Sequence, residues 1–277
     1  MEIKGSEYIS SRQNEKLKSF SKLNLSKYRR ETGLFLAEGV KLAAEAADAG
    51  IARCLLIRED AASSGEVEKV LDKCGSDVIK YILASAAFEK VTTESAPQGV
   101  IAVCRIPSVH RRSDDFPASE LDGKTAIALD GVRDPGNLGT VIRTAAAFGY
   151  DSVIVGDSAD LYNSKTVRAS MGALFRMNTV ECSDLAQYLS DMKERGRRVI
   201  GAALTDDSTE FGSQPLSLSD VPVIGNEGHG ISDSVASSCD GFVKIPMDPK
   251  SESLNAAAAA AVITWEYSKL IRNKNEK

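Results

Sequence analysis

Two rhythms of apolar side chains alternate along the chain: compact runs rich in Val, Ile and Leu, and longer stretches in which apolar residues return every three or four positions. The first rhythm predicts strands, the second helices. From 11 to 25, Leu17, Phe20, Leu23 and Leu25 fall near helical spacing, and 31–50 reads as a short strand followed by a helix that Gly50 ends. Strands over 51–57, 77–83 and 98–107 alternate with helices over 64–74 and 85–92, and Pro107 closes the series. These elements predict a small α/β domain over 1–107. Residues 108–122 (SVHRRSDDFPASELD) lose the periodicity, carry Pro117 and mix charges of both signs, which is the composition of a linker.

From 123 to 277 the alternation resumes. Strands are predicted over 125–132, 151–157, 197–204, 221–228 and 241–247, and helices over 137–149, 183–196, 231–239 and 254–273. No segment repeats at a fixed period, which excludes a solenoid. Strands alternating with helices predict a mostly parallel sheet covered on both faces, with ligands bound beyond the carboxyl ends of its strands.

Composition narrows the chemistry. At 277 residues, 43% hydrophobic and 26% charged, the chain can bury two modest cores without metal or disulfide. Cys54, Cys74, Cys104, Cys182 and Cys239 are scattered and odd in number, so a reducing, cytoplasmic setting is expected. No leader and no membrane-spanning run are visible. His110 and His229 are the only histidines, too few for a His-rich metal site, and no metal is expected. The net charge is −5, yet Arg12, Lys16, Lys18, Lys22, Lys27, Arg29 and Arg30 stand against the single acid Glu15 in one stretch, with Phe20 and Tyr28 interleaved. Such a stretch can neutralise several phosphates; its plainer reading is a solvated helix face.

Three loops stand out. The first, LDGVRDPGNLGTVIRTAAAFG, joins a strand to a helix, with Gly131, Gly136 and Gly139 baring the backbone, Asn137 placed as an N-cap and Arg143 six residues on. A tight turn alone would explain its glycines, and its spacing is not the dinucleotide fingerprint. In the second, IGNEGHGIS, Gly225, Gly228 and Gly230 surround Asn226 and Glu227, and a carboxylate among bare glycines predicts binding. His229 is read there as a passenger. In the third, Pro246 and Pro249 interrupt regular structure before Ser251, Ser253 and Asn255 lead into an Ala-rich helix, where capping is the default role.

NLGTVIR, IGNEGHG and IPMDPKSESLN, in this order and at these separations, resemble the three signature motifs of the SpoU (TrmH) family of S-adenosylmethionine-dependent RNA 2'-O-ribose methyltransferases. The likeness runs from about Thr125 to the C-terminus, and residues 11–42 resemble the RNA substrate-binding extension of many members. The resemblance implies an α/β fold whose C-terminal domain, 123–277, is a deep trefoil knot of the SPOUT type, behind a smaller RNA-binding domain. It implies S-adenosylmethionine as cofactor, held by Leu204, Gly225, Ile245 and Leu254 with Asn226, Glu227, Gly228 and Met247 nearby. It also implies a homodimer in which each site receives an arginine from the neighbouring subunit.

Catalytic roles are carried onto Arg143, Asn137, Glu227, Ser253 and Asn255. Because a guanidinium keeps its proton, Arg143 is expected to fix a phosphate or stabilise oxyanion character rather than act as a free base. Asn137 is expected to orient Arg143 or the RNA, Glu227 to order these groups, and Ser253 and Asn255 to shape the approach of the hydroxyl. RNA contacts are expected at Arg12, Lys16, Lys18, Arg29 and Arg30, with large-subunit ribosomal RNA the first expectation and transfer RNA the second. The rival readings are a NAD-binding oxidoreductase, which lacks its fingerprint, and a non-catalytic RNA-binding protein, which would have no need of the five motif residues.

Overall fold

The computed structural model describes residues 3, 5–248, 250 and 253–275, with side chains through 273. The chain forms two compact units, Met1–Pro107 with Asp160–Arg176, and Ser108–Ala159 with Met177–Lys277.

The first unit runs β1 (Ser6–Ile9), α1 (Glu15–Lys22), α2 (Ser26–Thr32), β2 (Leu34–Glu38), α3 (Val40–Asp48), β3 (Ala52–Arg58), α4 (Gly65–Lys73), β4 (Ile79–Leu83), α5 (Ser85–Phe88) and β5 (Val100–Arg105). Its sheet has the order β1-β4-β3-β5-β2, with β5 antiparallel to both neighbours. The stretch 11–25 forms α1 and the approach to α2 rather than one helix. Asn14 caps α1 by accepting from the backbone N–H of Lys16 and Leu17, and α2 stops at Gly33, whose φ of 66° suits a glycine. Leu17, Leu36, Leu56, Leu83, Phe88 and Ile101 share one core. β1 escaped the sequence reading because only Ile9 of its four residues is buried.

The second unit begins where a linker was expected. His110–Arg112 instead forms β6, which pairs with Thr179–Glu181, and Ala118 and Leu121 are buried in a short 3-10 turn. There follow β7 (Ala126–Asp130), α6 (Pro135–Ala147) and β8 (Ser152–Gly156). After α7 (Ser164–Ser170), which belongs to the first unit, come β9 (Asn178–Cys182), α8 (Leu185–Glu194), β10 (Arg198–Ala202), β11 (Thr209–Glu210), β12 (Asp220–Ile224), α9 (Asp233–Ser238), β13 (Gly241–Lys244) and α10 (Ala256–Asn275). Every strand pair in the order β11-β13-β10-β12-β7-β8-β9-β6 is parallel. β7, β8 and β12 are buried along their whole length, as strands covered on both faces must be. Since β13, β10, β12 and β7 are parallel neighbours, the loops after them leave from one edge of the sheet.

The excursion Asp160–Arg176 completes the first unit's core. The rings of Tyr162 and Phe175 lie 4.8 and 5.7 Å from that of Phe35, which is fully buried. Arg29 is 4% exposed; its Nη1 donates to the carbonyl of Leu23 at 2.7 Å and its Nη2 to Asp160 at 2.8 Å. The expectation that Arg29 contacts RNA is therefore corrected: its charge is spent inside the fold, on a carboxylate 131 residues away. No helix among the described residues is long and apolar enough to cross a membrane, and none of their His, Cys, Asp and Glu groups could hold a metal ion.

Candidate active site

α6 starts with Asp134, whose side chain accepts from the N–H of Asn137 at 2.7 Å, and Pro135 occupies the first helical turn. Asp-Pro is the usual opening of a helix, so the N-cap is Asp134 and not Asn137. Standing three residues inside the helix, Asn137 has its side chain free for other work. Its Nδ2 donates to Glu227 Oε1 at 2.9 Å, and its Oδ1 accepts from Asn255 Nδ2 at 2.9 Å. Asn255 caps α10, its Oδ1 accepting from the N–H of Ala257 at 2.9 Å and of Ala258 at 3.2 Å.

This chain of bonds has one sense only. The N–H groups of α10 can only donate, which turns the Asn255 amide so that its nitrogen faces Asn137; an ionised Glu227 can only accept, which agrees with the same orientation of Asn137. Glu227 also accepts from the N–H of Arg133 at 3.3 Å and of Asp134 at 3.4 Å. Burial works to raise the Glu227 carboxyl, but the bond from Asn137 and the backbone N–H groups outweigh it and hold its pKa below the ordinary value. The three motif loops thus meet, through residues 90 and 118 positions apart, at the edge where β7 and β12 end.

The second loop is held by Asn226. Its backbone exchanges hydrogen bonds with Gly230 at 2.8 and 3.0 Å, its Nδ2 donates to the Gly131 carbonyl at 2.6 Å, and its Oδ1 accepts from the N–H of Gly228 and of His229. These bonds make Asn226, half-buried, a loop-building residue. At Gly225 a Cβ would stand 2.3 Å from the Gly230 carbonyl carbon, so only glycine lets the loop fold back onto the end of β12. Asp130, 7% exposed, accepts from the N–H of Ser232 at 2.7 Å and fixes where the loop ends. Neither Asp130 nor Asp134 was singled out from the sequence, although Asp-Pro before a helical run is a readable cap signal for the latter.

Arg143 is exposed, about 9 Å further along α6 than Asn137 at the usual helical rise. Asn137, engaged by Glu227 and Asn255, does not orient it by hydrogen bonding. Ser253 is exposed two residues before Asn255, whereas Pro249 and Ser251 lie outside the described residues. Leu204 and Leu254 are 56% and 40% exposed, Ile245 and Met247 are half-buried, Gly225 is buried and Gly228 is exposed. Bare aliphatic side chains beside a backbone-rich loop suit a purine and an amino-acid moiety, so the residues present fit S-adenosylmethionine.

Among the residues expected to touch RNA, Arg12 and Arg30 are exposed, while Lys16 pairs with Glu7 at 2.6 Å and Lys18 with Glu15 at 2.7 Å. Exposed pairs of this kind are worth ~1 kcal/mol or less and yield readily to a phosphate.

Residues 124–265 match the SpoU rRNA Methylase family, and residues 14–102 match the MRM3-like substrate binding domain. The chain is 34% identical over 259 residues to the 23S rRNA (guanosine(2553)-2'-O)-methyltransferase RlmP of Bacillus subtilis, across 93% of this chain and 97% of that one. Its fold is similar to that of an AdoMet-bound rRNA methyltransferase from Sinorhizobium meliloti, with a TM-score of 0.80 and 28% identity over 96% of this chain and 98% of that one. The SpoU methyltransferase AviRb from Streptomyces viridochromogenes, in complex with AdoMet, gives a TM-score of 0.78 and 26% identity over 93% and 98%.

Proposed function

Because the chain belongs to the SpoU rRNA methylase family and is an S-adenosylmethionine-dependent RNA 2'-O-ribose methyltransferase, we propose that its substrate is 23S ribosomal RNA and that Asn137, Arg143, Glu227, Ser253 and Asn255 make its catalytic centre. The observation that carries the assignment is the relay Glu227–Asn137–Asn255, which ties the three motif loops together at one sheet edge.

S-adenosylmethionine supplies a methyl group on a sulfonium that leaves as a neutral thioether, so the chain's own tasks are to position a ribose hydroxyl and to favour its ionisation. Arg143 stays protonated and offers a fork of donors to an adjacent phosphate or to the developing 2'-oxyanion. Glu227, kept ionised, fixes Asn137 and the turn before α6. Asn255 ties the head of α10 to the same point, two residues after the exposed Ser253. The aliphatic side chains of Leu204, Ile245, Met247 and Leu254 take the cofactor, with Gly225 and Gly228 offering backbone.

Three further features belong to this reading. A trefoil knot is supported by the strand order, in which β13, the last strand of the chain, lies between β10 and the earlier β11. A homodimer is supported by Val262 and Trp265, 41% and 43% exposed on α10. Five free cysteines agree with a cytoplasmic setting.

The test is to map ribose methylations on 23S RNA in a strain lacking the gene, then restore them with purified protein. One missing methylation, returned by the wild-type chain and not by Arg143→Ala, is expected, with S-adenosylhomocysteine binding that variant within about threefold of wild type. A full set of methylations on 23S RNA in the deletion strain removes the substrate assignment; lost cofactor binding in Arg143→Ala removes the division of labour.

A further inference from the structure

The first unit contains a cavity of ≈ 310 Å³ between the head of α3, the loop before β5 and α7. Its size lies at the lower end of the ~300–1,000 Å³ that small-ligand sites occupy. One wall is apolar, with Leu42, Pro97 and Met171, and the polar rim carries Glu38, Lys41, Glu94, Gln98 and Arg168.

The formal charges of the rim balance, two carboxylates against two cations, but the hydrogen-bonding groups it leaves free do not. Glu38 is saturated: it accepts from the Thr92 hydroxyl at 2.7 Å, from the Thr93 hydroxyl at 2.7 Å and from the Thr93 N–H at 3.1 Å. Glu94 is taken by Arg168. Gln98 Oε1 accepts from the N–H of Val40 at 2.9 Å, which turns its NH₂ group away from the helix. Lys41 is exposed and has no carboxylate partner among the described residues. The groups left over are donors, the Lys41 ammonium and the Gln98 amide, and a ligand that satisfies them presents acceptors such as phosphate or carbonyl oxygens.

Met171 belongs to the apolar lining. Its φ is 50°, one of two non-glycine residues in the left-handed region among those described, and its side chain lines the cavity. That conformation is the end of a helix: Met171 is the C-cap of α7, its N–H donating to the Arg168 carbonyl. Arg168 and Met171 both come from the excursion that leaves the second unit's chain, so this segment contributes to the lining.

Resting on the reading of the chain as an RNA methyltransferase, the geometry points to a receptor for one unpaired nucleotide of the substrate RNA, with its base against Met171 and Pro97. Lys41 and Gln98 meet its phosphate oxygens and base acceptors. Recognition of splayed-out single nucleotides through base faces and edges is how proteins read RNA with sequence preference.

Full-length Lys41→Glu and Gln98→Leu are to be compared with wild type on 23S RNA fragments. The expected result is a rise in KM for RNA of tenfold or more in Lys41→Glu, with kcat within twofold, S-adenosylhomocysteine affinity unchanged and a salt slope of RNA binding lowered by about one. Gln98→Leu is expected to raise KM at least threefold. Wild-type KM in both variants overturns the proposal. If the wild-type chain binds S-adenosylhomocysteine yet methylates no RNA, it is the substrate reading that has failed. The cavity is then judged by the Met171 methyl NMR signal, with GMP, UMP and AMP added over saturating S-adenosylhomocysteine. A shift with any of the three that Lys41→Glu abolishes sustains the site; no shift, or one that Lys41→Glu leaves unchanged, ends it.

Discussion

At the scale of single residues, the work of Asn137 is to carry one direction of hydrogen bonding from a carboxylate to a helix cap. Asn137→Asp replaces the donor facing Glu227 by a second carboxylate and is expected to lower kcat more than Asn137→Ala does. A bond to a charged group is worth about 1.5–3 kcal/mol, which converts to roughly 10- to 150-fold. Equal kcat for both variants would remove the directional relay. Arg29 makes the opposite case, a cation that looked like a phosphate ligand and is a core residue. Burial works to raise the carboxyl of its partner Asp160, but bonds from Ser26 and Arg29 outweigh it and depress its pKa. A depressed folded-state value means that the pair contributes fully above the unfolded carboxyl's value of about 3.9 and fades as pH falls through the lower folded one. Urea denaturation should find Asp160→Asn less stable by about 3 kcal/mol or more at pH 7, with the gap closing below pH 4; a gap that widens on acidification contradicts the pairing. None of this was legible in the chain, because a cationic stretch does not say which of its members will find a carboxylate 131 positions away.

At the scale of elements, the sequence reading reached furthest where periodicity was long or burial continuous. β7, β8 and β12 are unbroken apolar runs and α10 an extended helix, and all were predicted close to where they lie. What stayed invisible was short: β1 with one buried residue, α2 and α7 with seven residues each, β9 with five, β11 with two, and β6, whose HRR sequence has no apolar member. Each is held by tertiary partners rather than by its own pattern. The meeting of the three loops could be anticipated from the parallel-sheet rule and the motif resemblance, but the relay depends on side-chain orientations that no sequence pattern encodes. α10 also carries a testable surface. Ala260, Ile263, Tyr267 and Ile271 face inward, whereas Trp265 stands outside between Phe148 at 5.5 Å and the Arg272 guanidinium at 4.9 Å. If this face joins two subunits, Trp265→Glu should sediment as a monomer and lose methyl transfer together; an unchanged sedimentation coefficient rules the face out.

At the scale of the whole molecule, the boundary that composition suggests after Pro107 does not mark a self-sufficient piece. Phe35 needs Tyr162 and Phe175, and Arg29 needs Asp160, all delivered by Asp160–Arg176. A fragment spanning 1–107 is expected to bind a hydrophobic dye and to melt without a cooperative transition, since it bares a buried ring and strands a buried charge; a sharp melt with exchange-protected β2 amides would contradict this. The same detour bears on synthesis. A ribosome that has just released Pro107 must add roughly 70 more residues before Arg176 emerges, on the order of 4–14 s at about 5–20 residues per second. Through that interval the nascent chain carries an unfinished hydrophobic surface beside a half-made second unit, so the N-terminal region cannot mature first, and slow translation or early pausing lengthens its exposure to chaperones and proteases.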